Sequence, residues 1–254
     1  MNLLLVGDFI NAGSRFCGEF KNLKNKKVNI LFCSYAFETA TEYNNAQKNA
    51  LKRVFDVEKI IDLTEEYDFS DRIDVIFVNG GYGIFNVNKK LIDNGHDKKI
   101  KALVKKGTLY IGESTGAVVA GTVENWQVFH ETDPSLLNMD KKYKKFKGLG
   151  FVEGVPVVHM SRYRFPKNFV DDSEPTYRIL NRTSKGVNPF IVGLKRIKTL
   201  RSLGEKTISI KENEGYLVVN GVTKRKLVNW SKLPVKKNVV TDAEKKIKEL
   251  LGKK

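Results

Sequence analysis

An α/β fold, with a mostly parallel sheet and helices on both faces, is predicted by two features of this 254-residue sequence. The first half alternates short apolar runs with segments of helical periodicity, which is the pattern of parallel sheets. The apolar runs are nearly continuous, as expected of strands that helices cover on both faces. We expect a single domain over residues 1–254, with a core to residue 230 and a basic C-terminal helix over 231–254.

The elements follow from the period of the apolar residues. Apolar runs in the first half predict strands at residues 3–6, 28–33, 57–63, 74–78 and 107–112. Helical spacing predicts helices at residues 41–55, 85–94 and 98–106, the first capped by Thr39 or Thr41, and a small-residue helix begins at Ala117. In the second half we expect strands at 151–159 and 206–211, a hairpin of 216–219 and 222–227, and a closing helix at 241–251.

The segment Gly112-Glu113-Ser114-Thr115-Gly116 lies between the fifth predicted strand and the helix that begins at Ala117. In that context a Gly-x-Ser-x-Gly sequence indicates a nucleophile elbow. Flanking glycines allow the sharp turn, and the helix N-terminus below the serine favours developing negative charge. The sequence therefore predicts Ser114 as a nucleophile, against the alternative of a plain strand-to-helix turn.

A serine nucleophile needs a base, and the chain has three histidines. His159 ends an apolar run and so should lie at the carboxyl end of a strand, as Ser114 does. His130 is the weaker alternative, and His96 is expected on the surface in a polar loop between helices. We expect His159 to be the base.

Two further groups complete the expected site. The carboxylate that orients the histidine should be Asp133, with Glu131 and Asp140 as competitors. The oxyanion donors should be the N–H of Thr115 and that of Gly81 or Gly80, unless this glycine pair is simply a tight loop.

Charge and cysteine content limit the other functions. The chain has 45 Lys+Arg against 29 Asp+Glu, a net charge of +16, with clusters at 141–147 and 232–254. No helix-turn-helix, zinc-finger or RNA-binding signature accompanies the charge, so a solvated basic surface is favoured over nucleic-acid binding. No apolar run is long enough for a membrane span, and the N-terminus reads as a core strand. The two cysteines, Cys17 and Cys33, lack metal-ligand or redox spacing, which favours a reduced, cytoplasmic setting.

Several stretches resemble the dipeptidase E family of serine peptidases, relatives of the cyanophycinases with a class I glutamine-amidotransferase-like sheet. They include the strand at 3–5, the helix start at 41–43, the strand at 75–78 followed by Asn79-Gly80-Gly81, the elbow segment 107–117, the approach to His159 from Gly148, and the hairpin at 216–221. The resemblance spans roughly residues 1–225. It implies Ser114 as nucleophile, His159 as base, Asp133 as acid, and Gly81 and Thr115 as oxyanion donors.

The same resemblance implies cleavage of short peptides after an N-terminal aspartate, without a metal or cofactor. An arginine that pairs with that aspartate is expected, and Arg162, Arg164 and Arg178 are the candidates. The chain departs from the family where Thr115 replaces an alanine, so that a β-branch should crowd the pocket, and where Tyr82 follows the glycines. The sequence thus predicts a serine peptidase. The alternatives are a catalytically silent member that binds a small molecule and, less favoured, a nucleic-acid-binding protein; a homodimer is left open.

Overall fold

A seven-stranded sheet forms the centre of the protein. The computed structural model describes residues 1–160, 189–211 and 213–228. The strands are β1 (Asn2–Val6), β2 (Val28–Cys33), β3 (Val57–Asp62), β4 (Val75–Val78), β5 (Leu109–Glu113), β6 (Val155–Val157), β7 (Thr207–Ser209), β8 (Glu214–Val219) and β9 (Val222–Leu227). The α-helices are α1 (Thr41–Val54), α2 (Ile84–Asp93), α3 (His96–Lys105), α4 (Thr115–Ala120), α5 (Lys141–Lys144) and α6 (Pro189–Ser202).

The order of strands in the main sheet is β3-β2-β4-β5-β1-β8-β9. The five strands from β3 to β1 are parallel, whereas β8 and β9 run antiparallel to their neighbours. The strands β6 and β7 pair in parallel and form a separate two-stranded sheet. In the main sheet β5 lies between β4 and β1, so their carboxyl ends meet at one edge, where ligands bind in sheets of this kind.

The core lies on both faces of the main sheet. Along β1, Leu3 and Leu5 pack into one apolar cluster while Leu4 and Val6 pack into another, because successive side chains of a strand point to opposite faces. All four side chains are fully buried. The predicted α/β class with a parallel sheet and a C-terminal hairpin is confirmed, and a strand is found close to each predicted position in the first half.

Four local expectations are wrong or incomplete. The strand expected at 151–159 is only three residues long, at Val155–Val157. Gly150 and Gly154 adopt positive φ angles, so the backbone before Val155 is not extended. Helix α6 is not predicted by the sequence, because its apolar residues show little helical periodicity. Ala40, rather than a threonine, precedes α1, and no side chain caps that helix.

The fourth wrong expectation is the surface position of His96. This residue is buried, with 1% of its surface exposed. It begins α3, and its Nδ1 lies 3.1 Å from the hydroxyl of Tyr35. The closing helix expected at 241–251 lies outside the described residues. Within the described ranges, every helix is too short or too polar to cross a bilayer.

Candidate active site

Ser114 sits at the turn between β5 and α4, with φ 47° and ψ −105°. A positive φ is rare for a residue other than glycine and carries a strain of about 1–3 kcal/mol. The backbone N–H of Ser114 donates to the Val6 carbonyl at 2.9 Å, which ties the turn to the end of β1. The predicted elbow is present in the structure, and it places the half-buried serine at the carboxyl edge of the sheet.

The glycines of the elbow let α4 approach the sheet closely. A Cβ on Gly116 would lie 2.1 Å from the carbonyl oxygen of Val78 in β4. A Cβ on Gly112 would lie 2.6 Å from the carbonyl oxygen of Gly116. Neither position has room for a side chain, which is the physical reason for glycine on both sides of Ser114.

His159 is brought to Ser114, as the sequence predicts. The distance between Ser114 Oγ and His159 Nε2 is 3.1 Å, within hydrogen-bonding range. His159 follows β6 at a φ of 63°, and backbone bonds of 2.9 and 3.1 Å join Val157 and Met160, on either side of it, to Ile210. The alternative base His130 is exposed, and its Nδ1 lies 2.8 Å from the carbonyl oxygen of Gln127.

Asp133 is buried and accepts hydrogen bonds at two helix N-termini. Its Oδ2 accepts the Phe85 N–H in the first turn of α2 at 2.7 Å. Its Oδ1 accepts the N–H of Ser135 at 3.2 Å, and also the hydroxyl of that serine. The competing carboxylates Glu131 and Asp140 are exposed. These bonds give Asp133 a capping role, and its role as the acid of the site stays a prediction.

Glu113 is a site residue that the sequence reasoning missed. Its carboxylate is fully buried directly before Ser114 and accepts from four donors. They are the N–H of Phe9 at 2.8 Å, the hydroxyl of Tyr43 at 2.8 Å, the amide of Gln47, and the N–H of Gly80 at 3.3 Å. Burial, and secondarily the nearby charge of Asp8, raise the pKa of Glu113 to about 7. A carboxylate inside an apolar strand is the signal that could have revealed it.

The Gly80–Gly81 turn lies against the elbow. A Cβ on Gly80 would be 3.0 Å from Ser114 Cβ, so the turn is in direct contact with Ser114. The Thr115 hydroxyl donates to the carbonyl oxygen of Gly81 at 2.5 Å. At Gly81, φ is 154° and a Cβ would lie 2.5 Å from the Ala36 carbonyl oxygen, so this position requires glycine.

Tyr82 follows this turn in the chain and contacts Phe37, which precedes α1. Tyr82 is 47% exposed, and its ring meets that of Phe37 edge-on at a centroid distance of 6.5 Å.

The predicted specificity residues Arg162, Arg164 and Arg178 all lie outside the described residues. In α6, the half-buried Arg196 donates to the Thr132 hydroxyl at 3.1 Å, and burial lowers its pKa to about 10.

Neither cysteine belongs to the site. Cys17 and Cys33 are buried and not disulfide-bonded, and burial raises the pKa of Cys33 to about 12. A thiol with so high a pKa carries almost no thiolate near neutral pH. In the described part of the chain, no cluster of three or more His, Cys, Asp or Glu residues could hold a metal ion.

Comparison with known proteins points to one family. The model of peptidase family S51 matches residues 9–191. An uncharacterized peptidase of Listeria monocytogenes is 32% identical over 123 residues, covering 46% of this chain and 60% of that protein. An uncharacterized peptidase of Listeria innocua is 34% identical over 124 residues, covering 46% of this chain and 58% of that protein. The matched part of the chain thus spans less than two thirds of the length of these curated relatives.

A solved structure shares the fold. It is a Listeria monocytogenes protein assigned to peptidase E, with a TM-score of 0.62 and 21% sequence identity. The superposition covers 90% of this chain and 98% of that one. At this level of identity the likeness concerns the fold, and the chemistry has to be argued from the residues of this chain.

Proposed function

This chain belongs to peptidase family S51, and we propose that it is a serine peptidase that hydrolyses short peptides through an acyl-enzyme. The observation that carries the proposal is the 3.1 Å distance between Ser114 Oγ and His159 Nε2, on a strained elbow. A serine hydroxyl is a weak nucleophile alone, and an imidazole at this distance can remove its proton.

His159 acts first as a base and then as an acid. It takes the proton of Ser114 Oγ as that oxygen attacks the scissile carbonyl carbon, and a tetrahedral intermediate forms. It then gives the proton to the leaving amine, and the C–N bond breaks to leave an acyl-serine. A water molecule, deprotonated by His159, attacks the acyl carbon and releases Ser114.

Backbone donors stabilise the charge on the carbonyl oxygen in the intermediate. We assign this role to the N–H of Thr115, at the N-terminus of α4, and to the N–H of Gly81. Gly80 is the weaker alternative, because its N–H already donates to Glu113 at 3.3 Å. The oxyanion hole would therefore join the elbow to the turn that follows β4.

Asp133 is proposed as the carboxylate that orients His159, in addition to capping two helices. The comparison variant is Glu131→Gln, because Glu131 is a competing carboxylate close to Asp133 in the chain and is exposed. Asp133→Asn should lower kcat strongly if Asp133 is the acid. A larger loss in Glu131→Gln, with Asp133→Asn affecting only stability, would reassign the role.

The substrate is proposed to be a dipeptide or short peptide with an N-terminal aspartate. Recognition of that side chain requires a cation, and the candidates are Arg162, Arg164 and Arg178. Arg196 is a further candidate, because it is half-buried and bonds the hydroxyl of Thr132 next to Asp133. A bidentate arginine–carboxylate pair of this kind would exclude neutral residues effectively.

The test is release of the N-terminal residue from Asp-X, Glu-X and neutral dipeptides, with Ser114→Ala alongside. We expect cleavage of Asp-X, and a loss of at least about a thousandfold in the variant, because no other group replaces the nucleophile. Ser114-dependent cleavage of other peptides would keep the mechanism and discard the specificity. Turnover that persists in Ser114→Ala would disprove the assignment.

A covalent fluorophosphonate probe separates a wrong substrate from a silent site. An activated Ser114 should be labelled even if no dipeptide in the panel is cleaved, and Ser114→Ala should not be labelled. If the wild-type protein is neither labelled nor active, the crevice is a binding site without catalysis.

A further inference from the structure

The Gly80–Gly81 turn is held from both sides, and the two restraints come from the residues on either side of Ser114. The N–H of Gly80 donates to Oε2 of Glu113 at 3.3 Å. The carbonyl oxygen of Gly81 accepts the hydroxyl of Thr115 at 2.5 Å. Both Glu113 and Thr115 are buried.

These two bonds restrain the peptide that lies between them. Gly80 N–H belongs to the peptide before Gly80, and Gly81 C=O belongs to the peptide after Gly81. The peptide between them carries the N–H of Gly81 and is flanked by the soft dihedrals of two glycines. Without the restraints, rotation about those dihedrals could change the direction of this N–H.

The N–H of Gly81 is also the donor that the turn has available. Gly80 N–H is used by Glu113. Among the described residues, no acceptor is found for the N–H of Gly81. The turn therefore offers one donor, and its direction depends on the bonds to its neighbours.

We propose that the Thr115 hydroxyl is a positioning group of the oxyanion hole, which holds the Gly81 segment so that its N–H points at the reacting oxygen. The inference rests on the proposed serine peptidase function. Thr115 then has two parts in the site. Its backbone N–H is one donor, and its side chain fixes the segment that supplies the other.

The inference also explains why threonine is accommodated beside the nucleophile. The sequence suggests that its β-branch crowds the pocket, but the side chain is 3% exposed and its hydroxyl bonds the turn. Alanine at this position would leave the Gly81 carbonyl oxygen without this donor. The bond from the hydroxyl restrains a turn that its glycines would otherwise leave flexible.

The test compares Thr115→Val, which keeps the shape and removes the hydroxyl, with Thr115→Ser, which keeps the hydroxyl and removes the methyl group. The measurement is the second-order rate constant for labelling of Ser114 by a fluorophosphonate, whose phosphoryl oxygen occupies the oxyanion hole as it reacts. We expect roughly a tenfold fall for Thr115→Val and a change of less than about twofold for Thr115→Ser, since one donor is misdirected rather than deleted.

Two readouts separate positioning from a general loss of structure. Thermal unfolding should stay cooperative in each variant, and the pH dependence of labelling should match that of the wild type because the substitutions leave both Ser114 and His159 in place. If Thr115→Val does not fold, Thr115→Ala removes the hydroxyl without adding bulk and is expected to show the same roughly tenfold fall.

The outcomes are distinct from those for the proposed function. Labelling of folded Thr115→Val or Thr115→Ala at the wild-type rate would overturn the inference while leaving the serine peptidase in place. Slow labelling of folded Thr115→Ser would also overturn it, because the methyl group and not the hydroxyl would matter. A wild-type protein that is not labelled at all would remove the proposed function and this inference together.

Discussion

Glu113 is a carboxylate in the interior of the protein, immediately before the proposed nucleophile. Burying a charge without partners costs several kcal/mol, and here four hydrogen-bond donors offset part of that cost. The donors come from the loop after β1, from two positions in α1, and from the turn after β4. One side chain therefore links the elbow to three other parts of the fold.

The raised pKa of Glu113 makes stability depend on pH. The pKa is about 7 in the folded protein, against an ordinary value of 4.5 for a glutamate in the unfolded chain. The folded protein thus keeps its proton where the unfolded chain loses it, and the contribution of Glu113 is full below pH 4.5 and is lost as the pH rises through 7. The loss should be about 3 kcal/mol.

Glu113→Gln checks this, because an amide has the same shape and no titrating proton. Urea unfolding of both proteins at several pH values should show that the wild type loses stability relative to Glu113→Gln between pH 4.5 and 7. A constant difference across that range would show that Glu113 does not titrate there.

The sequence predicts Ser114 and His159, which lie 3.1 Å apart in the structure, because each prediction depends on local information. The elbow is read from five consecutive residues, and His159 from its place at the end of an apolar run. The roles of Glu113 and the Thr115 hydroxyl depend on partners far away in the chain, at residues 9, 43, 47, 80 and 81. No spacing in the sequence brings those partners together.

At the scale of elements, the parallel strands and the C-terminal hairpin were predictable, whereas the extent of β6 was not. Strands such as β2 are continuous apolar runs with clear ends, and the predicted bounds at 28–33 are those of the structure. By contrast β6 has three residues and pairs with β7, about fifty residues later in the chain. A strand this short is specified by its partner and by the turns around it more than by its own sequence.

The packing of α4 on β4 provides a prediction at this scale. Gly116→Ala would place a Cβ 2.1 Å from the backbone oxygen of Val78, and neither backbone can move without disturbing the sheet. We expect a loss of about 3 kcal/mol in the free energy of unfolding. Urea denaturation gives the value.

The control is Gly18→Ala, in the 3-10 helix Gly13–Glu19, where a Cβ would meet nothing within 4 Å. Its change in stability should stay within about 0.5 kcal/mol. If Gly116→Ala is as stable as this control, then α4 does not approach β4 as closely as the structure indicates.

At the scale of the whole molecule, the proposed catalytic pair joins two sheets. Ser114 follows β5 of the main sheet, whereas His159 follows β6 of the two-stranded sheet. The second sheet meets the end of α4 at Gly121, and the N–H of Thr122 donates to the carbonyl oxygen of Gly154 at 3.0 Å. The distance between Ser114 and His159 therefore depends on how these two units dock.

Gly121→Ala should disturb that docking more than it disturbs either sheet. The added Cβ would lie 2.3 Å from Cδ of Pro156 and 2.5 Å from the carbonyl oxygen of Gly154, so β6 must move away from α4. A displacement of about 1 Å at a catalytic group can cost on the order of a hundredfold in rate. We expect fluorophosphonate labelling of Ser114 to fall by about that factor while thermal unfolding stays cooperative.

Gly150→Ala is the matched control, because it lies in the segment that leads to β6 and a Cβ there would meet nothing within 4 Å. Its φ of 68° makes alanine strained, so this variant should lose about 1 kcal/mol of stability and keep its labelling rate. If both variants are labelled at the wild-type rate, then His159 reaches Ser114 independently of the contact at Gly121. Slow labelling in Gly121→Ala alone would show that the docking of the second sheet on α4 sets the geometry of the pair.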